Sequence, residues 1–143
     1  MIRNYHPGDK GKLIDIFKLN VPKFFDEKEI SDFEKYLDNN LDTYLIIEQN
    51  NYIVGGFGYY IDNEDGSGKI TWIFLHPEKA GRGLGTQAIE YCLSKLRENK
   101  SVKKLVVRTS QFSYKFFEKF GYTLVRTEKD YWGQGLDLYL MEQ

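Results

Sequence analysis

Residues 76–87 read HPEKAGRGLGTQ, between the apolar run KITWIFL and a segment whose apolar residues recur at every fourth position. This pattern predicts a strand, a turn and then an amphipathic helix. A connection of this kind needs one glycine at most, whereas this one contains three, Gly81, Gly83 and Gly85. It also contains Arg82. The first N–H groups of a helix lack helical partners and carry partial positive charge, and glycines let an anion approach them. Since arginine adds a forked donor, the turn predicts a phosphate-binding site.

Two common phosphate motifs do not fit this turn. A mononucleotide P-loop needs a lysine directly before Thr86, where the chain has Gly85. A dinucleotide fingerprint needs G-x-G-x-x-G early in a series of parallel strands, but here the glycines alternate and an antiparallel meander comes first. We therefore expect a phosphate-bearing ligand of another class.

The remaining pattern predicts one α+β domain over residues 1–143, a mixed sheet with helices on its faces. A short strand at 2–5 and a helix around 13–17 come first, and Asp26 with Glu29 resembles a capping box that starts a second helix. TYLIIEQ, YIVGGFGYYID and KITWIFLH then predict an antiparallel meander. The glycines of its middle strand indicate a bulge or the close approach of another group.

The second half of the chain predicts a parallel crossover and a closing hairpin. A helix from Leu84 leads to the strand VKKLVVRT, and a strand–helix–strand unit of this length gives parallel strands. A short helix is expected from about residue 111 to 120, ending at Gly121. YTLVRTE and LDLYLME then form a hairpin with KDYWGQG as its loop.

Composition excludes several classes of function. With 20 basic and 21 acidic residues the net charge is −1, and the sequence has no cluster of basic residues that would predict nucleic-acid binding. No apolar run is long enough to cross a membrane, and a single cysteine favours a reduced, cytoplasmic compartment. His6 and His76 lack metal-ligand spacing with each other or with Cys92, so no metal is predicted. The composition leaves the oligomeric state open.

Two motifs resemble the GNAT superfamily of acyl-CoA-dependent N-acyltransferases. Residues 75–77 and 80–86 are similar to its strand ending in an apolar-x-Pro step followed by [Q/R]-x-x-G-x-[G/A], although Ala80 replaces the usual Gln or Arg. The stretch FFEKFGY at 116–122 resembles F-Y-E-K-x-G-[F/Y] further along that family's chains. The predicted order of elements also agrees over nearly the whole chain.

This resemblance implies a mostly antiparallel mixed sheet of six to seven strands, about four helices and two central parallel strands that splay apart. Acetyl-CoA would be the cosubstrate, its pantetheine arm lying between those strands. The Leu75 N–H would stabilise negative charge on the thioester oxygen, and the pyrophosphate would bind to the helix start. The implied cofactor-binding residues are Phe74, Leu75, His76, Gly81, Arg82, Gly83, Leu84, Gly85, Thr86, Ser110 and Phe117.

The implied reaction is attack of an amine on the thioester, which involves a proton donor and a base. Phe117 replaces the tyrosine that the family uses as proton donor, so we expect Tyr114, three residues earlier, to substitute. Ser110 is a weaker candidate. The alternative interpretation of Tyr114 is an ordinary helix tyrosine, and Ser110 is expected to be a helix N-cap. KITWIFLH contains no carboxylate, which leaves the base open between His76 and an ordered water. Cys92 is expected to be buried and inert rather than an acyl carrier.

Aromatic residues in loop-like segments are the candidates for the acceptor site. Phe25, Tyr131 and Trp132 are expected to wall a channel for a small-molecule or peptide amine, because aromatic faces receive cations, or else to pack the rim of the core. A protein that binds CoA as a sensor or interaction module without turnover is the alternative function.

Overall fold

The computed structural model describes residues 1–39 and 42–143, which form a seven-stranded sheet and four α-helices. In chain order the elements are β1 (Ile2–Asn4), α1 (Lys10–Lys18), α2 (Glu29–Asn39), β2 (Thr43–Gln49), β3 (Tyr52–Asp62), β4 (Ser67–Leu75), α3 (Leu84–Glu98), β5 (Lys104–Thr109), α4 (Tyr114–Glu118), β6 (Thr123–Gly133) and β7 (Leu136–Glu142). Short 3₁₀ turns precede α1 and follow β4.

The strand order is β1-β2-β3-β4-β5-β7-β6. β4 and β5 are parallel and connected through α3, whereas the other neighbouring pairs of this sheet are antiparallel. The predicted meander, the parallel crossover and the mixed, mostly antiparallel sheet are therefore confirmed.

Helices cover both faces of the sheet and create two apolar clusters. On one face, the every-fourth-residue stripe of α3 is buried against the central strands, together with Phe117 and Tyr122 from the α4 region. On the other face, α1 and α2 pack on β2 and β4 through aromatic residues, above all Phe17 and Phe33. No helix in the described part of the chain is both long and apolar enough to cross a membrane.

β4 contains a bulge opposite the glycine-rich middle of β3. Gly56 pairs with Phe74 and Gly58 with Thr71, so two β4 residues, Trp72 and Ile73, lie opposite one β3 residue. Trp72 has the left-handed backbone angle φ 46°. A bulge of this kind bends its strand and increases its twist. β3 also has the expected bulge, against β2, where Val54, directly before Gly55, has no partner.

The glycines of β3 make room for a side chain, which was the other predicted reason for them. A Cβ on Gly56 would lie 2.6 Å from the Tyr44 hydroxyl oxygen, and one on Gly58 would lie 2.8 Å from the Tyr44 ring. The ring of Tyr44 on β2 therefore lies flat across β3. Its hydroxyl donates a hydrogen bond to the Trp72 carbonyl, over 2.8 Å, at the bulge of β4.

Two predictions for the C-terminal third were wrong. The helix expected over about 111–120 is confined to Tyr114–Glu118, because tight turns follow β5. The loop expected at 129–135 is mostly strand, since β6 continues to Gly133. Asp130 stabilises this irregular end: its N–H donates to Asp137 Oδ1 and its own Oδ1 accepts from the Gly135 N–H.

Candidate active site

A gap separates the C-terminal ends of β4 and β5. Their parallel pairing runs from Ser67 opposite Lys104 to Ile70 opposite Val107 and then stops. Both strands continue beyond this point, β4 to Leu75 and β5 to Thr109. The strands diverge immediately before the Trp72 bulge, which redirects β4.

Leu75 is the residue whose main chain faces this gap. The His76 N–H donates to the Val54 carbonyl of β3, over 2.7 Å, and alternate residues of an antiparallel ladder face the same neighbour. Phe74 and His76 therefore direct their main-chain groups toward β3, and Leu75 directs its own toward the gap. The Phe74 ring is buried among the rings of α1 and α2.

Asn20, which the sequence did not single out, is attached to this edge of β4. Its side-chain Nδ2 donates to the Leu75 carbonyl, over 3.0 Å, and to the Ile16 carbonyl, over 3.2 Å. The peptide joining Leu75 to His76 is therefore hydrogen-bonded at its carbonyl and at its N–H. Asn20 is 5% exposed and lies two residues after the end of α1, directly behind its C-cap Leu19. In the sequence it resembles an ordinary helix stop.

The turn before α3 presents unused donors. Gly81 and Gly83 both adopt left-handed backbone angles, φ 80° and 82°, which favour glycine, and Arg82 between them is exposed. The first helical bond runs from the Gln87 N–H to the Gly83 carbonyl. Among the described residues, no protein group accepts a hydrogen bond from the N–H groups of residues 81–86. Successive free N–H groups of this kind form an anion-binding concavity.

Gly85 has a different role from the other two glycines. A Cβ at this position would lie 3.1 Å from the Phe116 ring and 3.7 Å from the Leu75 side chain. The missing side chain therefore allows the start of α3 to pack closely on α4 and on the end of β4. Leu84 is buried and Thr86 is half-buried at the same helix start.

The candidates for a proton donor lie on α4 and in the turns between β5 and α4. Tyr114 begins α4, and its ring packs on that of Tyr139 with centroids 4.7 Å apart. Tyr139 belongs to β7, which pairs with β5 on the side away from the gap. Phe117 is 3% exposed and packs against Tyr122. Ser110 is buried, and its hydroxyl accepts a hydrogen bond from the Phe112 N–H. It does not cap α4, whose N-cap is Ser113.

The thiol of Cys92 is fully buried in the cluster beneath α3. Burial raises the pKa of this thiol to about 12. The reactive thiolate therefore forms to a negligible extent near neutral pH. This environment matches the expected inert cysteine.

The three aromatic residues predicted for the acceptor site flank the gap from both sides. Phe25 packs on Trp72 and Phe74 of β4, with centroids 6.2 and 6.4 Å apart. Trp132 lies beside the end of β5, where its indole N–H donates to the Thr109 carbonyl, over 3.0 Å. Tyr131 is adjacent and 40% exposed. Both residues belong to β6 rather than to a loop.

An arginine already contacts two of these rings. The guanidinium carbon of Arg108 lies 5.0 Å from the Tyr131 ring centre and 5.5 Å from that of Trp132, and the Arg108 side chain also donates to the Tyr131 hydroxyl. The ring faces that were expected to receive a cationic amine thus contact a cation of the protein itself. Within the described ranges, no three His, Cys, Asp or Glu side chains are grouped as metal ligands.

A family model identifies the family of this chain. The model of the GNAT acetyltransferase family matches residues 13–122. The chain belongs to the GNAT acetyltransferase family. No curated protein matches it in sequence.

Solved structures share the fold of this GNAT protein over its whole length at low sequence identity. A ribosomal-protein-alanine N-acetyltransferase from Brucella melitensis is 17% identical, with a TM-score of 0.79, and 100% of this chain and 98% of that chain are covered. An aminoglycoside 6'-N-acetyltransferase complexed with coenzyme A is 14% identical, with a TM-score of 0.79 and coverage of 100% and 96%. Ard1 from Thermoplasma volcanium is 15% identical, with a TM-score of 0.78 and coverage of 100% and 95%. These likenesses show the fold, as the sequence motifs predicted.

Proposed function

We propose that this GNAT protein transfers an acetyl group from acetyl-CoA to a primary amine. Two observations together carry the proposal: the ends of β4 and β5 do not pair with each other, and the N–H groups of residues 81–86 are free. A thioester with an extended, amide-containing arm and a pyrophosphate matches both features, since the arm can pair with an open strand edge and the phosphates with the concavity. Acetyl-CoA supplies the activated acyl group and a thiolate leaving group.

The proposed acyl position lies beside Leu75. Its N–H points into the gap and would donate to the thioester oxygen as negative charge develops there. Val54 and Asn20 hold the peptide that follows, so this donor needs little reorganisation during the reaction. Arg82, Gly83 and the helix start would bind the pyrophosphate.

The proposed acceptor enters between Phe25 on the β4 side and Trp132 on the β5 side. Its nitrogen attacks the thioester carbon, the C–N bond forms, the C–S bond breaks, and the nitrogen gives up a proton. The similar solved proteins named above include one that modifies a ribosomal-protein alanine and one that modifies an aminoglycoside. Amine acceptors of either type, peptide or small molecule, are therefore the class to test.

Ligand binding tests the first half of the proposal. Thermal unfolding would be followed with CoA, ATP and NAD in separate samples, and a ligand at 100 times its dissociation constant adds about 2.7 kcal/mol of stability. We expect CoA to raise the midpoint more than ATP or NAD. A Gly83→Val variant, with a β-branched residue at φ 82°, should lose the CoA shift. An equal or larger shift with ATP or NAD would contradict the proposed ligand.

Turnover separates the enzyme from a CoA-binding module. The module is favoured by the absence of a hydroxyl at Phe117 and of a carboxylate on β4. A panel of amines, from peptide N-termini to amino sugars and polyamines, would be assayed with acetyl-CoA by release of free thiol. We expect turnover with at least one class. Tight CoA binding without turnover across the panel would identify the module.

A further inference from the structure

Glu29 is a buried carboxyl group at the first position of α2. It is 7% exposed and lies on the same helix face as Phe33 and Leu37, which are core residues. Carboxylates are rarely buried to this degree unless they are paired. Among the ion pairs formed by residues 1–39 and 42–143, none includes Glu29.

One hydrogen bond attaches this carboxyl to the helix start. Glu29 Oε2 accepts from the Asp26 N–H, over 2.8 Å, and Asp26 Oδ2 accepts from the Lys28 N–H, over 3.0 Å. This is close to the predicted capping box. A glutamine would accept the same hydrogen bond, so capping alone does not require a carboxyl group here.

The face that carries Glu29 is directed at the part of β4 that borders the gap. Phe33, one turn further along α2, contacts Trp72 and Phe74 with ring centres 5.1 and 5.4 Å apart. Long side chains of a helix point toward its N-terminus, which here is the Asp26 end. The Asp26 side chain lies directly against Gly133 of β6. The start of α2 therefore reaches from the β4 side of the gap, where Phe25 lies, to the β6 strand that carries Tyr131 and Trp132.

We propose that Glu29 is the general base of acetyl transfer, a role that rests on the proposed function. As the amine nitrogen forms its bond to the thioester carbon, the carboxylate accepts the proton that this nitrogen loses, and the C–S bond breaks with its electron pair leaving on the sulfur. The general base is thus a carboxylate of α2, since β4 contains none.

The surroundings of Glu29 suit a proton acceptor near neutral pH. Burial raises the pKa of this carboxyl to about 7, and the charges of Asp26 and Asp32 act in the same direction, while the Asp26 N–H and Lys28 lower it. Phe33, one turn further along the same face, packs on the uncharged rings of Phe17 from α1 and of Trp72 and Phe74 from β4. A base with a pKa close to the working pH is the most effective kind. The fraction of Glu29 that is ionised, and with it the rate of acetyl transfer, should increase as the pH rises through about 7.

Glu29→Gln tests this role, because glutamine keeps the bond to the Asp26 N–H but accepts no proton. Initial rates of thiol release would be measured with one amine between about pH 5.5 and 9, for the wild type, Glu29→Gln and the exposed neighbour Glu27→Gln. Ionisation of the amine is common to all three, so a difference between their profiles belongs to the enzyme. We expect kcat of Glu29→Gln to fall about 10²-fold at pH 8 and its rise near pH 7 to disappear, with an unchanged thermal shift by CoA. Glu27→Gln should follow the wild type.

Each other outcome has a definite meaning. Glu29→Gln with the wild-type rate and pH profile overturns the role of Glu29 and leaves the proposed function intact. Equal losses in both variants, or a lost CoA shift in Glu29→Gln, show a structural effect and also overturn it. A wild type that binds CoA but acetylates no amine overturns the proposed function, and the role of Glu29 with it.

Discussion

The hydroxyl of Tyr44 donates a hydrogen bond to the carbonyl of Trp72, although a whole strand separates the two residues. The contact is possible because Gly56 and Gly58 lack the side chains that would occupy the path of the ring. Trp72 is the bulge residue with φ 46°, and the β4–β5 pairing ends two residues before it, at Ile70. The shape of the gap therefore depends on a tyrosine that does not itself line it.

Tyr44→Phe should weaken this arrangement without removing the ring. The Trp72 carbonyl loses its donor, and an unpaired buried acceptor costs about 1–3 kcal/mol. We expect a fall of this size in the free energy of unfolding, measured with urea, and weaker CoA binding measured by calorimetry. Tyr52→Phe, at a residue that is 72% exposed, is the control and should change neither quantity. If Tyr44→Phe is destabilised but binds CoA with unchanged affinity, the hydroxyl contributes to stability and not to the shape of the gap.

Gly56→Ala tests whether the glycine is there for the ring. The new methyl group would lie 2.6 Å from the Tyr44 hydroxyl oxygen and 2.9 Å from a ring carbon, so we expect a loss of about 1–3 kcal/mol. In a Tyr44→Ala background the same change should cost much less, with a coupling energy of about 0.5–3 kcal/mol between the two sites. Gly11→Ala, where no atom lies within 4 Å of the new Cβ, should be additive with Tyr44→Ala. Additivity at Gly56 as well would mean that the ring does not require this glycine.

Asn20→Ala should slow the acetyl transfer step. Asn20 holds the Leu75 carbonyl, and losing it frees the peptide next to the proposed oxyanion donor. Since this effect concerns the transition state, we expect kcat and kcat/KM to fall together, by about tenfold, with KM for acetyl-CoA nearly constant. Asn39→Ala is a matched control, because the Asn39 amide also donates to the carbonyl four residues earlier but lies on the exposed end of α2. A rise in KM alone would indicate that Asn20 shapes the binding site instead.

The turn and the helix after it could be predicted from the sequence because their signals are local. Alternating glycines and a four-residue apolar spacing lie within twenty residues of each other, and the structure shows both features where the pattern indicated. The Tyr44–Trp72 and Asn20–Leu75 contacts join residues 28 and 55 positions apart, so no local pattern could reveal them. A tryptophan with a left-handed backbone angle has no sequence signal either. The extension of β6 was missed because Asp130 and Gly135 resemble turn residues, whereas Asp130 bridges the hairpin.

Tyr114→Phe tests the proposed proton donor. Removal of the hydroxyl should lower kcat by about tenfold or more while the apparent constant for acetyl-CoA changes little. The packing of the ring on Tyr139 is kept by phenylalanine, so stability should be nearly unchanged. Tyr139→Phe, which removes the neighbouring hydroxyl instead, is the control and should retain wild-type turnover. If Tyr114→Phe does the same, the thiolate leaves without help from this residue.

The pKa of Cys92 gives a pH dependence of stability with a definite sign. In the unfolded chain the thiol ionises near pH 8.5, whereas in the folded protein its pKa is about 12. Between these values the unfolded state binds fewer protons than the folded state, so the free energy of unfolding should fall as the pH rises above about 8.5. Urea unfolding at several alkaline pH values would measure this slope, and Cys92→Ala should lack this contribution while retaining turnover. Ellman's reagent should label the thiol in urea but not in the native protein, and rapid native labelling would contradict the buried, inert assignment.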